Sequence, residues 1–270
     1  MAAVILRIVV RRITNKKYEQ NLLWHRRLQK WLGCRTFGKK QLSIEFYESI
    51  SKFIQANPNA NEYLIDMAIG LPSCKEHMRP DKNARKILGK RGVTVFSVPC
   101  RQVVELGDSK DSVTQNRDYL KKLNSETLGV SLSQQTLAII PKMAELDRFL
   151  QENPEYKDRI CESHPEVCFA RLNGNEAIEI KKSRTKGISK RIKVLEKYLK
   201  AGALDDIKAL TKKCNCKPDD VLDAVCLAVT ARFKAEGKCE CIHGGEGTFV
   251  DDNGLRMQMV VPVVGVSYCT

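Results

Sequence analysis

The sequence lacks any window of about 18 uncharged apolar residues, the length that a membrane-spanning helix needs. Nine of its first ten residues are apolar, Arg7 being the exception, and they are followed by Arg11 and Arg12, which reverses the charge order of a secretory signal. No cleavage site of small residues follows them. We therefore expect a cytoplasmic protein with no membrane partner. Internal repeats and long low-complexity linkers are also missing.

The 11 cysteines occur singly or as Cys-x-Cys, and an odd number leaves at least one of them unpaired. This usage is typical of reduced thiols in a reducing compartment rather than of a disulfide framework. With 270 residues the chain is long enough to bury a full core, as one large domain or two small ones.

The net charge of +14 is concentrated at one end of the chain. Residues 1–40 contain eleven Lys or Arg side chains and a single acid, Glu19, whereas residues 41–270 contain 35 basic and 31 acidic side chains. The body of the protein is therefore nearly balanced. The total charge is not an argument for nucleic-acid binding, although nucleic acid stays a possible partner.

Strand and helix patterns alternate along the chain, which predicts an α/β architecture. Strands are predicted over residues 42–47, 63–69, 93–98 and 255–264, with a further strand ending near residue 163. Helices are predicted over residues 49–55, 79–90, 133–150, 181–200 and 204–213, and from Asp220 onward. Residues 107–133 are polar and irregularly patterned, residues 237–247 are expected to form a loop, and Pro141 is expected to break or kink its helix.

Asp66 is a lone acid inside the apolar run from Tyr63 to Ile69, whose pattern is typical of a strand buried on both faces. A buried carboxylate is costly unless a cation or a proton neutralises it. Asp66 is therefore a candidate metal ligand. The alternative is a turn residue at the end of the strand.

Three further acids surround the start of an apolar helical run. Asp219 occupies an N-cap position, and Asp220 and Asp223 are spaced i, i+3, so that they share one face of the helix. Two carboxylates on one face of an apolar helix indicate a divalent metal. The alternative is that the first acids only cap the helix and that Asp223 faces solvent.

Carboxylates from separate elements can converge on a hard cation such as Mg²⁺, which prefers oxygen ligands. Glu162 and Glu166 lie near the end of a second predicted strand and can join such a site. Two metal ions can activate water and stabilise the leaving oxygen in phosphodiester cleavage.

A set of motifs stands in a fixed order along residues 41–261. They are Ile65-Asp66-x-x-Ile69-Gly70-Leu71-Pro72, Arg91-Gly92-Val93-x-Val95-Phe96-x-Val98-Pro99-Cys100-Arg101, Pro141-Lys142-x-x-Glu145-x-Asp147, Glu162-x-His164-Pro165-Glu166-Val167-x-Phe169-x-x-Leu172-Asn173-Gly174, Lys181-Lys182, Asp219-Asp220-x-x-Asp223-Ala224 and Gly254-Leu255-Arg256-Met257. Together they resemble a prokaryotic family of unknown function whose members are described as predicted RNase H-like nucleases. The acidic helix also resembles that of Holliday-junction resolvases.

The resemblance implies an RNase H-like mixed central sheet flanked by helices. It implies a Mg²⁺ or Mn²⁺ site built from Asp66, Asp220 and Asp223, with Glu166 assisting. His164 could shuttle a proton or orient Glu166, and a structural role at the strand end is the alternative. The resemblance does not supply a substrate, because fold does not fix function.

Basic side chains near these motifs are candidates for phosphate contacts. Arg79, Arg101 and Lys142 are the substrate-binding candidates, and Arg85 is a weaker one. For any single one of them, a position on a solvated face is the competing interpretation.

The family's first strand, which reads roughly Gly-x-Asp-Gly-Cys-x-x-Gly-Trp, is missing, and residues 1–40 contain no Asp. Codons that the genetic code allows for residues 18–41 can be read one base out of frame as Met-Asn-Lys-Thr-Tyr-Cys-Gly-Ile-Asp-Gly-Cys-Lys-Ser-Gly-Trp-Val-Val-Glu-Leu-Ser-Glu-Lys. One extra A in the run encoding Lys39 and Lys40 rejoins the present frame at Gln41. We infer a one-base deletion that leaves residues 1 to about 39 out of frame.

Two units follow from this inference: an atypical basic segment, 1–40, and an incomplete RNase H-like domain, 41–270. The first strand is replaced by an atypical segment that cannot supply the Asp. We expect a metal-dependent nuclease-like hydrolase that is poorly stable and inactive as written. The alternatives are a non-catalytic nucleic-acid or protein binding module of the same fold, and a phosphotransferase, which the absence of a glycine-rich phosphate loop disfavours.

Zinc is a weaker candidate. Cys214-x-Cys216 and Cys239-x-Cys241-x-His243 contain zinc-ligand residue types, but the Cys-x-Cys spacing is less usual than Cys-x-x-Cys. Thiols at or near the surface are the favoured interpretation.

Overall fold

The structure is a computed structural model that describes residues 3–11, 28–37, 41–60, 62–199, 202, 204, 211, 216–246 and 249–264. The fold is mixed α/β. The strands of the larger sheet are β1 (Ala3–Arg11), β2 (Leu28–Phe37), β3 (Gln41–Tyr47), β4 (Glu62–Ile65) and β5 (Ile160–Glu162). A two-stranded antiparallel sheet contains β6 (Cys239–Ile242) and β7 (Met259–Pro262).

The larger sheet has the strand order β3-β2-β1-β4-β5, so the first strand lies in its middle. β1 pairs antiparallel with β2 and parallel with β4, and β4 pairs parallel with β5. The composition of β1, rich in Val and Ile, favours this central position, because β-branched side chains fit a pleated, buried surface. Both described parts of the basic segment, 3–11 and 28–37, thus belong to the sheet.

The helices connect and cover the strands. They are α1 (Ile50–Gln55), α2 (Asp81–Leu88), α3 (Arg101–Leu106), α4 (Lys110–Gln115), α5 (Arg117–Leu128), α6 (Gln134–Glu152), α7 (Pro165–Leu172), α8 (Thr185–Glu196) and α9 (Pro218–Ala235). None of these described helices is long and apolar enough to cross a membrane.

The sheet is buried on both faces. Leu32 and Leu64 pack into one core with α7, α8 and α9, whereas Trp31, Tyr63 and Ile65 pack into another with α1 and α6. All five side chains are fully buried. Alternation along the strands therefore produces a three-layer arrangement, with the sheet between two helical layers.

Helix α9 is the centre of the first core. Pro218 occupies its first turn together with two acids, where the missing N–H and the negative charges suit a helix start. Its middle is buried around nearly the whole circumference, from Val221 to Ala231. It packs on β1, β2 and β4 and against α7. This placement brings the acids at its start to one edge of the sheet.

Two local predictions were wrong. Residues 93–98 do not form a strand: Gly89–Thr94 is a 3₁₀ helix, and Val93 is 86% exposed. The loop predicted over 237–247 contains β6, and the irregularly patterned region 107–133, for which no element was predicted, contains α4 and α5. Pro141 lies inside α6, which continues to Glu152, so the proline does not end the helix. The helix predicted over 204–213 lies mostly outside the described residues.

Candidate functional site

Acidic residues gather where two parallel strands end and two helices begin. Asp66 directly follows β4, and Glu162 is the last residue of β5. Glu166 lies in the first turn of α7, and Asp219 and Asp220 lie in the first turn of α9. Parallel strands end at the same edge, and a helix N-terminus favours negative charge. The topology thus brings acids from separate parts of the chain to one end of the sheet.

Asp223 is the most deeply buried of these acids. Its side chain is 1% exposed, and the ammonium nitrogen of Lys182 lies 2.6 Å from its Oδ2. The interpretation in which Asp223 faces solvent is therefore wrong. Asp219 is also buried, whereas Asp220 is half-buried. A buried carboxylate needs a neutralising partner, and Lys182 provides a positive charge.

The pKa values of two buried thiols depend on the charges around them. Burial is the main cause that raises the pKa of Cys168 to about 11; hydrogen bonds with Ser163 and Thr230 oppose the rise, and the negative charge of Asp66 adds to it. Burial also raises the pKa of Cys226, and the charges of Asp223 and Glu166 add to the effect.

The carboxylate of Glu166 is bound by Arg191 of the same chain. Nη2 of Arg191 donates to its two carboxylate oxygens at 2.9 and 2.7 Å, and Arg191 is fully buried. Arg91 lies farther away, with Nη2 at 3.8 Å from Oε1 of Glu166. Both carboxylate oxygens thus accept from one guanidinium nitrogen, which fixes the orientation of the carboxylate, and the guanidinium charge neutralises it.

Glu162 is held in the same manner by Arg79. Nη2 of Arg79 lies 2.8 Å from both carboxylate oxygens of Glu162, and the backbone N–H of Ile69 donates to Oε2 at 2.8 Å. Nη1 of Arg79 donates to the carbonyls of Ile69 and Gly70 at 2.7 and 2.6 Å. This arginine thus shapes the loop that follows Asp66.

Asp251 holds the same loop from its other side. It accepts a hydrogen bond from the backbone N–H of Leu71 at 2.9 Å and contacts Arg101, which also donates to Asp147 at 3.0 Å. Lys142 donates to the carbonyl of Glu48 at 3.2 Å. The three predicted phosphate contacts, Arg79, Arg101 and Lys142, are thus all buried and have internal partners. Their contact with a substrate stays a prediction.

His164 occupies the N-cap position of α7, two residues before Glu166. Its side chain is half-buried, and within the described part of the chain its Nδ1 is a buried atom with no hydrogen-bond partner. Its carbonyl accepts from the N–H of Cys168 at 3.0 Å. A role in proton transfer stays a prediction.

The central strand brings no acid to this edge. β1 contains no Asp or Glu, and Leu6 is the last of its residues paired with β4, opposite Ile65. Arg7 follows Leu6 along β1, as Asp66 follows Ile65 along β4. At the register position beside Asp66, the chain therefore has a basic residue.

The described carboxylates do not fit a divalent ion as they stand. Lys182 lies on Asp223, and arginines bind Glu166 and Glu162 through both oxygens. Across the described ranges, no group of three or more His, Cys, Asp or Glu side chains is arranged to hold a metal ion together. The site of Asp66, Asp220 and Asp223 stays a prediction.

Residues 28–247 match the family described as "Protein of unknown function (DUF429)". The chain belongs to the DUF429 family. Neither a curated protein nor a solved structure matches it. The expectation of a family of unknown function is confirmed, and the match includes residues 28–40 of the basic segment.

In this DUF429 protein, the sequence did not predict that Lys182, Arg191 and Asp251 bind other residues at or near the candidate site. Lys182 stood in a motif without a role, Arg191 is one of many cations in a basic helix, and Asp251 belongs to an Asp-Asp-Asn-Gly turn. A signal existed only for Lys182, because Lys181-Lys182 was one of the ordered motifs. The other two are recognisable only from their burial.

The zinc candidates of the DUF429 chain are divided between described and undescribed residues. Cys214 lies outside the described residues. Cys239 and Cys241 belong to β6, and burial raises the pKa of Cys239 to about 12. A thiol whose pKa is raised is a poorer source of the thiolate that zinc requires.

Proposed function

We propose that this chain is a copy of an RNase H-like, metal-dependent nuclease that does not cleave as written. The observation that carries the proposal is the position of β1. It is the central strand of a mixed sheet whose edge gathers carboxylates, yet it contributes no acid. Phosphodiester hydrolysis is the activity of the intact ancestor.

The sheet supports the RNase H-like part of the proposal. It is mixed, central and covered by helices on both faces, as the resemblance implies. The first strand is expected at its centre, and β1 lies there. Asp66, Glu166 and Asp223 lie in or next to three different elements that start or end at this end of the sheet, and acids from separate elements are what a shared metal site would draw on.

The loss of activity rests on the chemistry of the residues that are present. A carboxylate on the central strand would add negative charge beside Asp66, and a divalent ion would then offset it. The residue at that register position is Arg7, so β1 offers no carboxylate there. We attribute the absence of the family's first-strand Asp to the one-base deletion inferred from the codons of residues 18–41.

A non-catalytic binding module is the second candidate. The observation that favours it is the ion pair of Lys182 with Asp223, together with the ion pair of Arg191 with Glu166. In such a protein the acids orient basic side chains and the fold around them, and they bind no metal.

The experiment compares the chain as written with a frame-restored protein whose N-terminus encodes the Gly-Ile-Asp-Gly strand. Both are titrated with Mg²⁺ and Mn²⁺ while thermal stability is followed, and both are then incubated with DNA, RNA and junction substrates. The proposal predicts metal stabilisation and cleavage in the restored protein alone. A restored protein that neither gains stability nor cleaves favours the binding module.

A further inference from the structure

One face of helix α8 carries a row of lysines. Lys186, Lys190, Lys193 and Lys197 are spaced by four, three and four residues, and all four are exposed. At 100° per residue they fall within a sector of about 60°. Lys197 is the C-cap of the helix, so the row runs along its whole length, about 16 Å at 1.5 Å per residue. We refer to these four residues as the lysine row.

Among the described residues, the lysine row has no acidic counterpart. Within the described residues none of its four side chains forms an ion pair, and Glu196 is the only acid between residues 181 and 197. The opposite face of α8 packs into the core through Gly187, Val194 and Leu195. Neighbouring like charges destabilise a helix, so helix stability does not account for the row.

The charge of the protein's body comes from this stretch. Residues 181–197 contain eight basic side chains and one acid, whereas the remainder of 41–270 contains 27 basic and 30 acidic ones. Without the stretch the body would be slightly acidic. The argument is local and does not depend on the basic segment 1–40.

We refer to the end of the sheet near Asp66, Glu166 and Asp223 as the acidic edge. The lysine row adjoins it. Lys182, four residues before Lys186, reaches Asp223 with its ammonium nitrogen, so the chain leads from the buried carboxylate directly to the row. A polyanion that lies along α8 would therefore run toward the acidic edge. Four ammonium groups over about 16 Å correspond to the phosphates of about five nucleotides at 3.4 Å per nucleotide.

We propose that the lysine row binds the phosphate backbone of a nucleic acid and holds it beside the acidic edge. The inference rests on the proposed function, because it assigns that site its substrate class. Lysines on one stripe contact phosphates without reading base identity, so binding should depend on salt and not on sequence.

The test is a fourfold variant, K186Q/K190Q/K193Q/K197Q, in the full chain. Glutamine keeps the helix propensity of lysine and removes its charge. Binding of fluorescent 20-nucleotide DNA and RNA, single-stranded and duplex, is followed by anisotropy in EDTA between 50 and 200 mM salt. The variant should bind at least tenfold more weakly, and its salt slope for duplex DNA should fall by about 3.6, since each contact contributes about 0.9.

The control removes the same charge elsewhere, in K52Q/K110Q/K122Q/K238Q, whose four lysines are exposed on other parts of the surface. Residues 1–40 are common to both variants, so their contribution cancels. The control should bind as the parent does. Equal losses in the two variants, or no binding by the parent, would overturn the proposal.

Two further measurements keep the result interpretable. If the fourfold variant does not fold, K190Q and K193Q are measured singly, and each should reduce the slope by about one. Polyglutamate and phosphatidylserine vesicles serve as other polyanions, and binding to either that equals the binding of nucleic acid contradicts the assignment. EDTA excludes divalent metal, so a failure here is distinct from a failure of the metal titration.

Discussion

The ammonium nitrogen of Lys182 lies 2.6 Å from Oδ2 of Asp223, although the two residues are 41 positions apart in the chain. The Asp223 side chain is 1% exposed and that of Lys182 is 29% exposed. The pair thus joins the interior of α9 to the basic stretch at the surface. It places a cation at the acid that the sequence assigns to a metal.

Replacing Lys182 should destabilise the fold. K182M removes the ammonium from a buried carboxylate, and hydrogen bonds to charged groups contribute about 1.5–3 kcal/mol. We expect a loss of about 2 kcal/mol in the free energy of unfolding, measured by urea denaturation. K182R, which keeps the cation, should lose less.

The neighbouring Lys181 is exposed and provides the matched control. K181M should change stability by less than about 0.5 kcal/mol, as surface substitutions usually do. Equal stability of K181M and K182M would show that the ion pair contributes nothing.

The ion pair of Arg79 with Glu162 should contribute more to the stability of the fold than the ion pair of Lys182 with Asp223. Both side chains are buried, and Arg79 also holds the carbonyls of Ile69 and Gly70. Removing one partner of a buried pair typically costs about 3–5 kcal/mol, because a charge is left buried. R79M should therefore unfold at a much lower urea concentration than the parent.

Arg148 offers the comparison for this prediction, because it pairs with Asp108 at the surface. R148M should lose no more than about 1 kcal/mol, the range of exposed ion pairs. An R79M protein as stable as R148M would contradict the structural role of Arg79.

The buried thiol of Cys168 and the half-buried thiols of Cys161 and Cys239 should make the protein sensitive to alkaline pH. Burial raises the pKa of Cys161 and of Cys168 to about 11 and that of Cys239 to about 12, from an ordinary value near 9. The unfolded chain loses these protons first as the pH rises, so their contribution to stability is complete below pH 9 and is lost toward pH 11–12. Urea denaturation at intervals from pH 8 to 11 should show falling stability.

Alkylation checks the same thiols directly. At pH 8 iodoacetamide should modify these three cysteines slowly in the folded protein and rapidly in urea, because the thiolate is the reactive form. Peptide mapping identifies each site. Rates in the folded protein that match those in urea would contradict their burial.

The inferred deletion is tested by resequencing. The nucleotides encoding residues 18–41 should, one base out of frame, encode the pattern Gly-Ile-Asp-Gly-Cys. A coding sequence whose shifted frame lacks this pattern rejects the deletion, whatever the fold of the protein.

Much of the fold follows from local patterns. The strand before Asp66 was predicted from its apolar run, but it ends at Ile65 rather than at Ile69. Beyond that point the backbone N–H of Ile69 and the carbonyls of Ile69 and Gly70 bind Glu162 and Arg79 instead of a neighbouring strand. Partners from other parts of the chain decided where the strand ends.

The strand predicted over 93–98 failed for a related reason. Its alternation suits a strand, but the N–H of Val95 bonds to the carbonyl of Gly92 within a 3₁₀ turn. Alternation of apolar and polar residues indicates which side chains are buried and does not by itself fix the backbone. An irregular segment that lies on the core can bury side chains at the same spacing.

The acids proposed for the site stood out in the sequence, because Asp66 interrupts one apolar run and Asp219, Asp220 and Asp223 surround the start of another. Their partners did not, since Lys182 and Arg191 come from a basic stretch in which most cations are exposed. Burial of a particular cation depends on how helices pack, and a single sequence does not record it.

The most direct measurement is a Mn²⁺ titration of thermal stability in the frame-restored protein, its D66N and D223N variants, and the chain as written. The account predicts a rise in melting temperature with Mn²⁺ in the restored protein, a smaller rise in each variant, and none in the chain as written. A restored protein that is indifferent to Mn²⁺, or an equal rise in all four proteins, would contradict it.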